Sequence, residues 1–149
     1  MKLIIEIIAT LFFIGYLPAS GTFATLSSLP LVIKLNKFSV LFNIIFLLLF
    51  IIFSVVFSSL AETIVFIKKD DRRIVIDEMV GFLVSMFAID VSKIHLILIG
   101  FVIFRILDIS KIGMLKSVQK LPSGFGIVAD DFICGVLTNI SLRILSIWI

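Results

Sequence analysis

An all-α, compact multi-helix membrane bundle is the fold class this sequence predicts, on three observations. Hydrophobic residues make up 61% of the 149-residue chain and charged residues only 15%, with a mean hydropathy of +1.31, well outside the range of soluble domains. One run, Ser39 to Ala61, carries no charge at all, and as a helix it is long enough to cross roughly 30 Å of hydrocarbon. The other apolar runs are shorter and are separated by brief segments rich in charge, glycine and turn residues. A very apolar soluble helical domain is the competing reading, and the charge-free run argues against it. The length suits a single domain over 1–149.

The elements follow in order. Leu3 to Leu17 is an apolar stretch that contains Glu6 and ends at Pro18; Lys2 before it mimics a signal peptide, but Glu6 in its middle argues against one. Thr22 to Leu35 is weakly apolar, is broken by Pro30, and stops at Lys34 and Lys37. Residues 39–61 form the one clear spanning helix. Met79 to Ile89 and Ile94 to Phe104 are apolar runs separated by Asp90-Val91-Ser92-Lys93. Each rises only about 16 Å as a helix, so 79–104 reads as a helical hairpin or as short helices buried in the bundle. Phe132 to Ile149 is a last apolar helix carrying Asn139 and Arg143.

This layout has a topological consequence. If 3–17 and 22–35 cross or dip in opposite directions and 39–61 crosses fully, the Gly21 turn and 62–78 share one side. A returning hairpin leaves 105–131 on that side too. Lys68, Lys69, Arg72, Arg73, Arg105, Lys111, Lys116 and Lys120 would lie there, against Lys2, Lys34 and Lys37 opposite. The excess of basic residues points that side to the cytoplasm.

Composition also narrows the partners. A net charge of +3, with basic residues interspersed among acidic ones, gives no footprint for nucleic acid. Cys134 is the only cysteine and reads as a small packed residue. His95, inside an apolar run, reads as a packed helix residue rather than a ligand.

The functional signal is acidic. Glu62 ends a long apolar run, Asp77-Glu78 ends IVIDE, Asp108 lies in FRILD, and Asp130-Asp131 ends GFGIVADD. Carboxylates beside apolar helices are costly to keep charged unless something positive compensates them. A hard divalent cation such as Mg²⁺ suits oxygen ligands, which makes Asp77, Glu78, Asp108, Asp130, Asp131 and Glu62 candidate metal residues. Both acid pairs are read as standing at the start of an apolar helix, where acidic capping is the plainer explanation. Two such pairs on one side, with Asp108 and Glu62, favour a site. Each pair also has a glycine nearby: Asp77 with Gly81 and Asp131 with Gly135 are four apart, on one helical face. A close helix approach beside the carboxylates is therefore possible.

Arg105, Asp108 and Lys111 recur at three-residue spacing. An intrahelical Arg–Asp pair is the plain reading. The functional one is that Arg105 engages a phosphate, which its planar fork suits. Pro122-Ser123-Gly124-Phe125-Gly126 reads as a turn whose Gly124 and Gly126 let backbone amides approach an anion. Gly21-Thr22 reads as a similar loop. Phe125 stands where a histidine-dependent lipid phosphatase would need His, and no aspartyl-phosphate motif occurs. Metal-assisted attack by water on a phosphate remains, with Asp77, Glu78, Asp130 and Asp131 as ligands and base.

Three segments, DRRIVIDEMVG at 71–81, GFVIFRILDISK at 100–111 and LPSGFGIVADDFICG at 121–135, resemble the phosphatidylglycerophosphatase A family. GYLPASGTFAT at 15–25 is similar to the family's Pro-Gly-Thr loop, with Ser20 in place of the usual Pro and Ala24-Thr25 in place of a usual Gly-Ser; Ile112 likewise replaces a Pro. The resemblance implies an all-helical, Mg²⁺-dependent enzyme of bacterial membranes. Its expected reaction removes the terminal phosphate of phosphatidylglycerol phosphate to give phosphatidylglycerol and inorganic phosphate. The expected substrate-binding residues are Arg105, Lys111, Thr22, Gly124 and Gly126. A small membrane protein that binds or carries divalent cations is the alternative, and it should place its acids at mid-membrane depth.

Overall fold

The computed structural model describes residues 1–110 and 124–148, and among these there is no strand. The helices are α1 (Lys2–Ala9), α2 (Ser20–Ser27), α3 (Leu29–Leu35), α4 (Val40–Leu60), α5 (Ile76–Ser85), α6 (Ile94–Ser110) and α7 (Gly124–Ser146). The fold class is the expected one.

The first apolar run is only half a helix. Thr10 donates its hydroxyl to the Glu6 carbonyl at 2.7 Å and accepts the Phe13 amide at 3.1 Å. Leu11, Phe12 and Phe13 then take left-handed backbone angles, so the chain turns back on itself. This lets Gly15 press against the Arg73 carbonyl and the Ala9 carbonyl accept the Val75 amide at 3.0 Å. With about 12 Å of helix, α1 does not cross the bundle. The Tyr16 hydroxyl donates to Glu6.

The stretch 20–35 runs alongside α5, from Gly21 beside Glu78 to Asn36 near Ile89. Pro30 lies in the first turn of α3, where a missing amide costs nothing, and the break falls at Ser28. At its far end the Asn36 side chain donates to the Ile89 carbonyl at 2.8 Å. Ser39 then caps α4 by accepting the Phe42 amide at 3.3 Å.

α4 faces outward with apolar side chains: Leu41, Leu48, Leu49 and Ile52 are all exposed, whereas its buried residues are Ser54 and Ser58. Small polar residues toward the bundle and large apolar ones away is the pattern of a helix solvated by lipid. Phe38, Phe42, Phe46, Phe50, Phe53 and Phe57 stack along it. Among the described residues two helices are long and apolar enough to cross a membrane, Val40–Val65 and Gly124–Ser146. The first includes a π-helical turn, Ala61–Val65, which turns Glu62 inward.

α5 and α6 form the expected antiparallel hairpin, shifted outward at both ends. α5 begins at Ile76, so Asp77 and Glu78 are inside its first turn; α6 runs on to Ser110 and carries Arg105 and Asp108. α5 is buried along most of its length, packed between α4 and α7. Its last carbonyls are capped from α7: Asn139 donates to Ser85 and Phe87 at 2.9 Å each, and Arg143 donates to Phe87 at 3.1 Å and to Asn139 at 2.8 Å. Those two polar residues in an apolar helix thus satisfy orphan carbonyls at a helix end. Cys134 packs in the core with Phe82, Phe104 and Leu142. His95, expected to pack, is exposed in the first turn of α6.

α7 corrects the sequence reading most. It starts at Gly124, so Asp130 and Asp131 lie inside it rather than at its beginning, and residues 124–126 are helical, not a turn. Asp77 and Glu78 do stand in the first turn of a helix, where acidic capping is the plainer reading, although neither makes a side-chain cap; Asp130 and Asp131 do not stand in a first turn.

Candidate metal and phosphate site

The starts of α2, α5 and α7 and the end of α6 meet at one end of the bundle around a cleft of about 910 Å³. Backbone proximity makes this possible. A methyl carbon on Gly81 would lie 2.6 Å from the Phe104 ring and 2.7 Å from the Asp131 carbonyl oxygen, and one on Gly135 would overlap the Gly81 carbonyl. α5 and α7 therefore cross in direct contact, one turn beyond the acids, and carry Asp77, Glu78 and Asp131 to one place.

Oxygen atoms of these three carboxylates lie within 4.8 Å of one another. Asp77 Oδ1, Glu78 Oε2 and Asp131 Oδ2 are buried without a hydrogen-bond partner among the described residues. Burial first, and the Asp131 carboxylate second, push Glu78 up to about 8; burial, with Glu78 beside it, pushes Asp77 well above the usual carboxylate range. Three carboxylates that resist ionising together, with oxygens left over, fit a divalent cation. Hard oxygen donors gathered this closely are the ligands a cation such as Mg²⁺ prefers.

Arg105 forms an ion pair with Asp108, one turn on along α6, and both side chains are only 14% exposed. The pair is therefore the intrahelical one, yet it lines the cleft, and Arg105 Nε is buried without a hydrogen-bond partner among the described residues. Opposite it stands Gly21. A methyl carbon there would lie 2.9 and 3.0 Å from the guanidinium nitrogens and would overlap Glu78 Oε1. α2 can sit this close only because Gly21 lacks a side chain.

The structure thus brings Asp77, Glu78, Asp108, Asp130, Asp131, Arg105 and Thr22 into one cleft. It does not bring the rest. Glu62 is buried away from the trio and accepts the Asp70 amide at 2.6 Å, holding the 66–75 loop. Gly124 packs on α4, with its amide donating to Ser59 Oγ at 3.0 Å, and Gly126 is buried away from the cleft lining. Lys111 lies outside the described residues. Asp70, Asp71 and Arg72, none of them singled out as site residues from the sequence, also line the cleft; the charged run directly before IVIDE was the signal. Arg73 holds Asp71 through two bonds of 2.8 and 3.0 Å, which keeps the Asp71 carboxyl below its ordinary value.

Comparison with known proteins gives the family. The sequence profile of the family "Phosphatidylglycerophosphatase A" matches residues 7–146. A protein of Escherichia coli described as "Phosphatidylglycerophosphatase A" is 34% identical over 70 residues, covering 46% of this chain and 41% of that protein. One from Bacteroides thetaiotaomicron, whose description reads "Putative phosphatidylinositol-3-phosphatase", is 31% identical over 78 residues, covering 51% of this chain and 49% of its own length. The matched stretches thus span less than half of each relative. No solved structure matches significantly.

Proposed function

The chain belongs to the phosphatidylglycerophosphatase A family, and from that premise we propose that residues 1–149 are one membrane-embedded, Mg²⁺-dependent phosphatase domain. It hydrolyses the terminal phosphate monoester of phosphatidylglycerol phosphate, yielding phosphatidylglycerol and inorganic phosphate in phospholipid biosynthesis. The observation that carries this reading is the cleft itself: three carboxylates within 4.8 Å, two buried and Glu78 half-buried, facing an arginine across the bare backbone of Gly21.

Asp77, Glu78 and Asp131 would hold the cation, which when bound offsets phosphate charge and makes a water molecule more acidic. Arg105 engages the equatorial phosphate oxygens, and Asp108 fixes the orientation of its fork. Asp130 lines the same cleft outside the trio and is the base that takes the proton of the attacking water. The new P–O bond forms as the bond to the glycerol oxygen breaks, that oxygen takes a proton from solvent water in the open cleft and leaves as a hydroxyl, and Asp130 returns the proton of the attacking water to solvent.

A lipid substrate suits the surroundings. α4 presents a broad apolar surface, while the cleft opens at one end of the bundle. A headgroup can enter while its tails stay in hydrocarbon, avoiding a cost of about 0.8 kcal/mol per exposed CH₂. We place the protein in the bacterial cytoplasmic membrane with the cleft toward the cytoplasm. Lys68, Lys69, Arg72, Arg73 and Arg105 support this orientation. The far end carries Lys34 and Lys37, and also Lys93 and Arg143, which lie beside Asp90 and Phe87. The charge asymmetry among the described residues is therefore smaller than the sequence layout implied.

Phosphate release by purified protein from phosphatidylglycerol phosphate, with Mg²⁺ and with EDTA, tests the proposal. Turnover that needs the cation is expected. Running phosphatidylinositol 3-phosphate alongside separates the two activities named among the relatives. Absence of turnover on phosphatidylglycerol phosphate, or full turnover in EDTA, would overturn the proposal.

A further inference from the structure

Two consecutive arginines before α5 have opposite surroundings. Arg73 is fully engaged: it grips Asp71 at 2.8 and 3.0 Å and lies 4.1 Å over the Phe66 ring and 5.5 Å over Tyr16. Arg72 is exposed and lines the cleft, and among the described residues its side chain makes no ion pair or hydrogen bond.

Its neighbours explain why. The Asp71 carboxylate is taken by Arg73, with Lys68 also 3.9 Å away, so it does not neutralise Arg72. The backbone beneath is held at several points. The Arg72 carbonyl accepts from the Ser20 hydroxyl at 3.4 Å, and the Arg73 amide donates to Asp71 at 3.1 Å. The Ile74 amide donates to the Asp71 carbonyl at 2.9 Å. The loop is fixed, and only the guanidinium is left to reach a ligand. Among the described residues lining the cleft, the cations are Arg105, buried and paired with Asp108, and Arg72, exposed at the rim.

We infer that Arg72 is a specificity-determining residue that binds a second phosphate on the substrate, the internal phosphodiester of a glycerophospholipid headgroup. This rests on the lipid-phosphatase reading above. The terminal phosphomonoester reacts at the floor of the cleft, where Arg105 and the carboxylate-bound cation match its charge. The diester lies one glycerol unit nearer the bilayer and carries its own negative charge. An unpaired guanidinium on a rigid loop at the rim is suited to that anion, because little order must be imposed on binding. A lipid with only a phosphomonoester would leave Arg72 idle.

The test compares phosphatidylglycerol phosphate with phosphatidic acid, which has a monoester and no diester, in mixed micelles with Mg²⁺. Arg72→Gln should raise KM for phosphatidylglycerol phosphate about tenfold, equivalent to about 1.4 kcal/mol, with kcat little changed. Its KM for phosphatidic acid should match wild type, and that unaltered value also shows that the variant is folded. Arg72→Lys should fall between the two. An equal loss on both lipids, or no change on either, would overturn the inference while leaving the phosphatase reading in place. A wild-type protein inactive on both lipids would overturn that reading and the inference with it.

Discussion

Gly81 and Gly135 meet backbone to backbone: a side-chain carbon on Gly135 would overlap the Gly81 carbonyl and lie 3.0 Å from Val84 Cβ. Each glycine is one helical turn past a carboxylate that faces the cleft, Asp77 on α5 and Asp131 on α7. The crossing point sets the spacing of the acids. Packing and chemistry are thus joined through two residues that have no side chains.

Gly135→Ala should therefore separate the helices. Overpacking of this kind costs about 1–3 kcal/mol, and displaced carboxylates lose a shared cation. The expected outcome is a lower melting temperature in detergent together with a higher Mg²⁺ concentration for half-maximal activity. Wild-type melting and activity in this variant would show that the crossing does not position the site.

Replacing the acids should have the opposite effect on stability. Asp77→Asn, Glu78→Gln and Asp131→Asn each remove one of three mutually repelling carboxylates that are largely shielded from solvent. In EDTA these variants should melt no lower than wild type, while activity with Mg²⁺ falls by roughly a hundredfold or more. A variant that keeps its activity would remove that residue from the ligand set.

The same repulsion gives a pH dependence in the metal-free protein. Glu78 is raised from 4.5 to about 8 in the folded chain, so between those values the folded state holds a proton that the unfolded state has released. Stability is then fully present below about 4.5, falls as pH rises, and levels off above about 8. Asp77 shifts in the same direction. In EDTA the melting temperature should be lower at pH 9 than at pH 6, and Mg²⁺ should raise it more at pH 9. A flat or rising profile in EDTA would contradict the raised values.

Much of this was legible in the sequence, and the exceptions have physical causes. The four-residue spacing of Asp77 to Gly81 and Asp131 to Gly135 is enough to place an acid and a small residue on one face, and the helices cross there. The same glycine logic misplaces the start of α7. Gly124 and Gly126 read as turn formers in water, but against Ser59 and Val55 the bare backbone of Gly124 is what lets α7 pack on α4. Apolar content alone also overextends α1, since the Thr10 hydroxyl and a left-handed run end the helix without any loss of hydrophobicity. Glu62, credible as a ligand by position, turns out to hold a loop because the π-helical turn rotates it away from the trio. Gly21, read as part of a loop, begins a helix and separates Glu78 from Arg105 by nothing larger than a hydrogen atom.

Gly21→Ala isolates that last relationship. The added carbon meets the flexible ends of two side chains rather than backbone, so the fold should survive with a melting temperature near wild type. Arg105 and Glu78 must move, and kcat should fall by roughly tenfold or more. Arg105→Lys should show a comparable loss, because an ammonium does not reproduce the bidentate contact of a guanidinium. Full activity in either variant would argue that phosphate is bound elsewhere.

Orientation in the membrane can be read from single cysteines in a Cys134→Ser background. Lys69 is exposed on the loop beside the cleft, and Lys37 is exposed at the far end between α3 and α4. α4, which joins those two ends, is a single helix of 21 residues, so the two positions should stand on opposite faces of the bilayer. Lys69→Cys should react with an impermeant thiol reagent only after the cytoplasmic face is opened, and Lys37→Cys should react in intact spheroplasts. The reversed pattern would turn the cleft outward and overturn the proposed orientation. Labelling of both from one side would mean that α4 lies in the interface instead of crossing, and the apolar surface it presents would then need a partner other than the bilayer core.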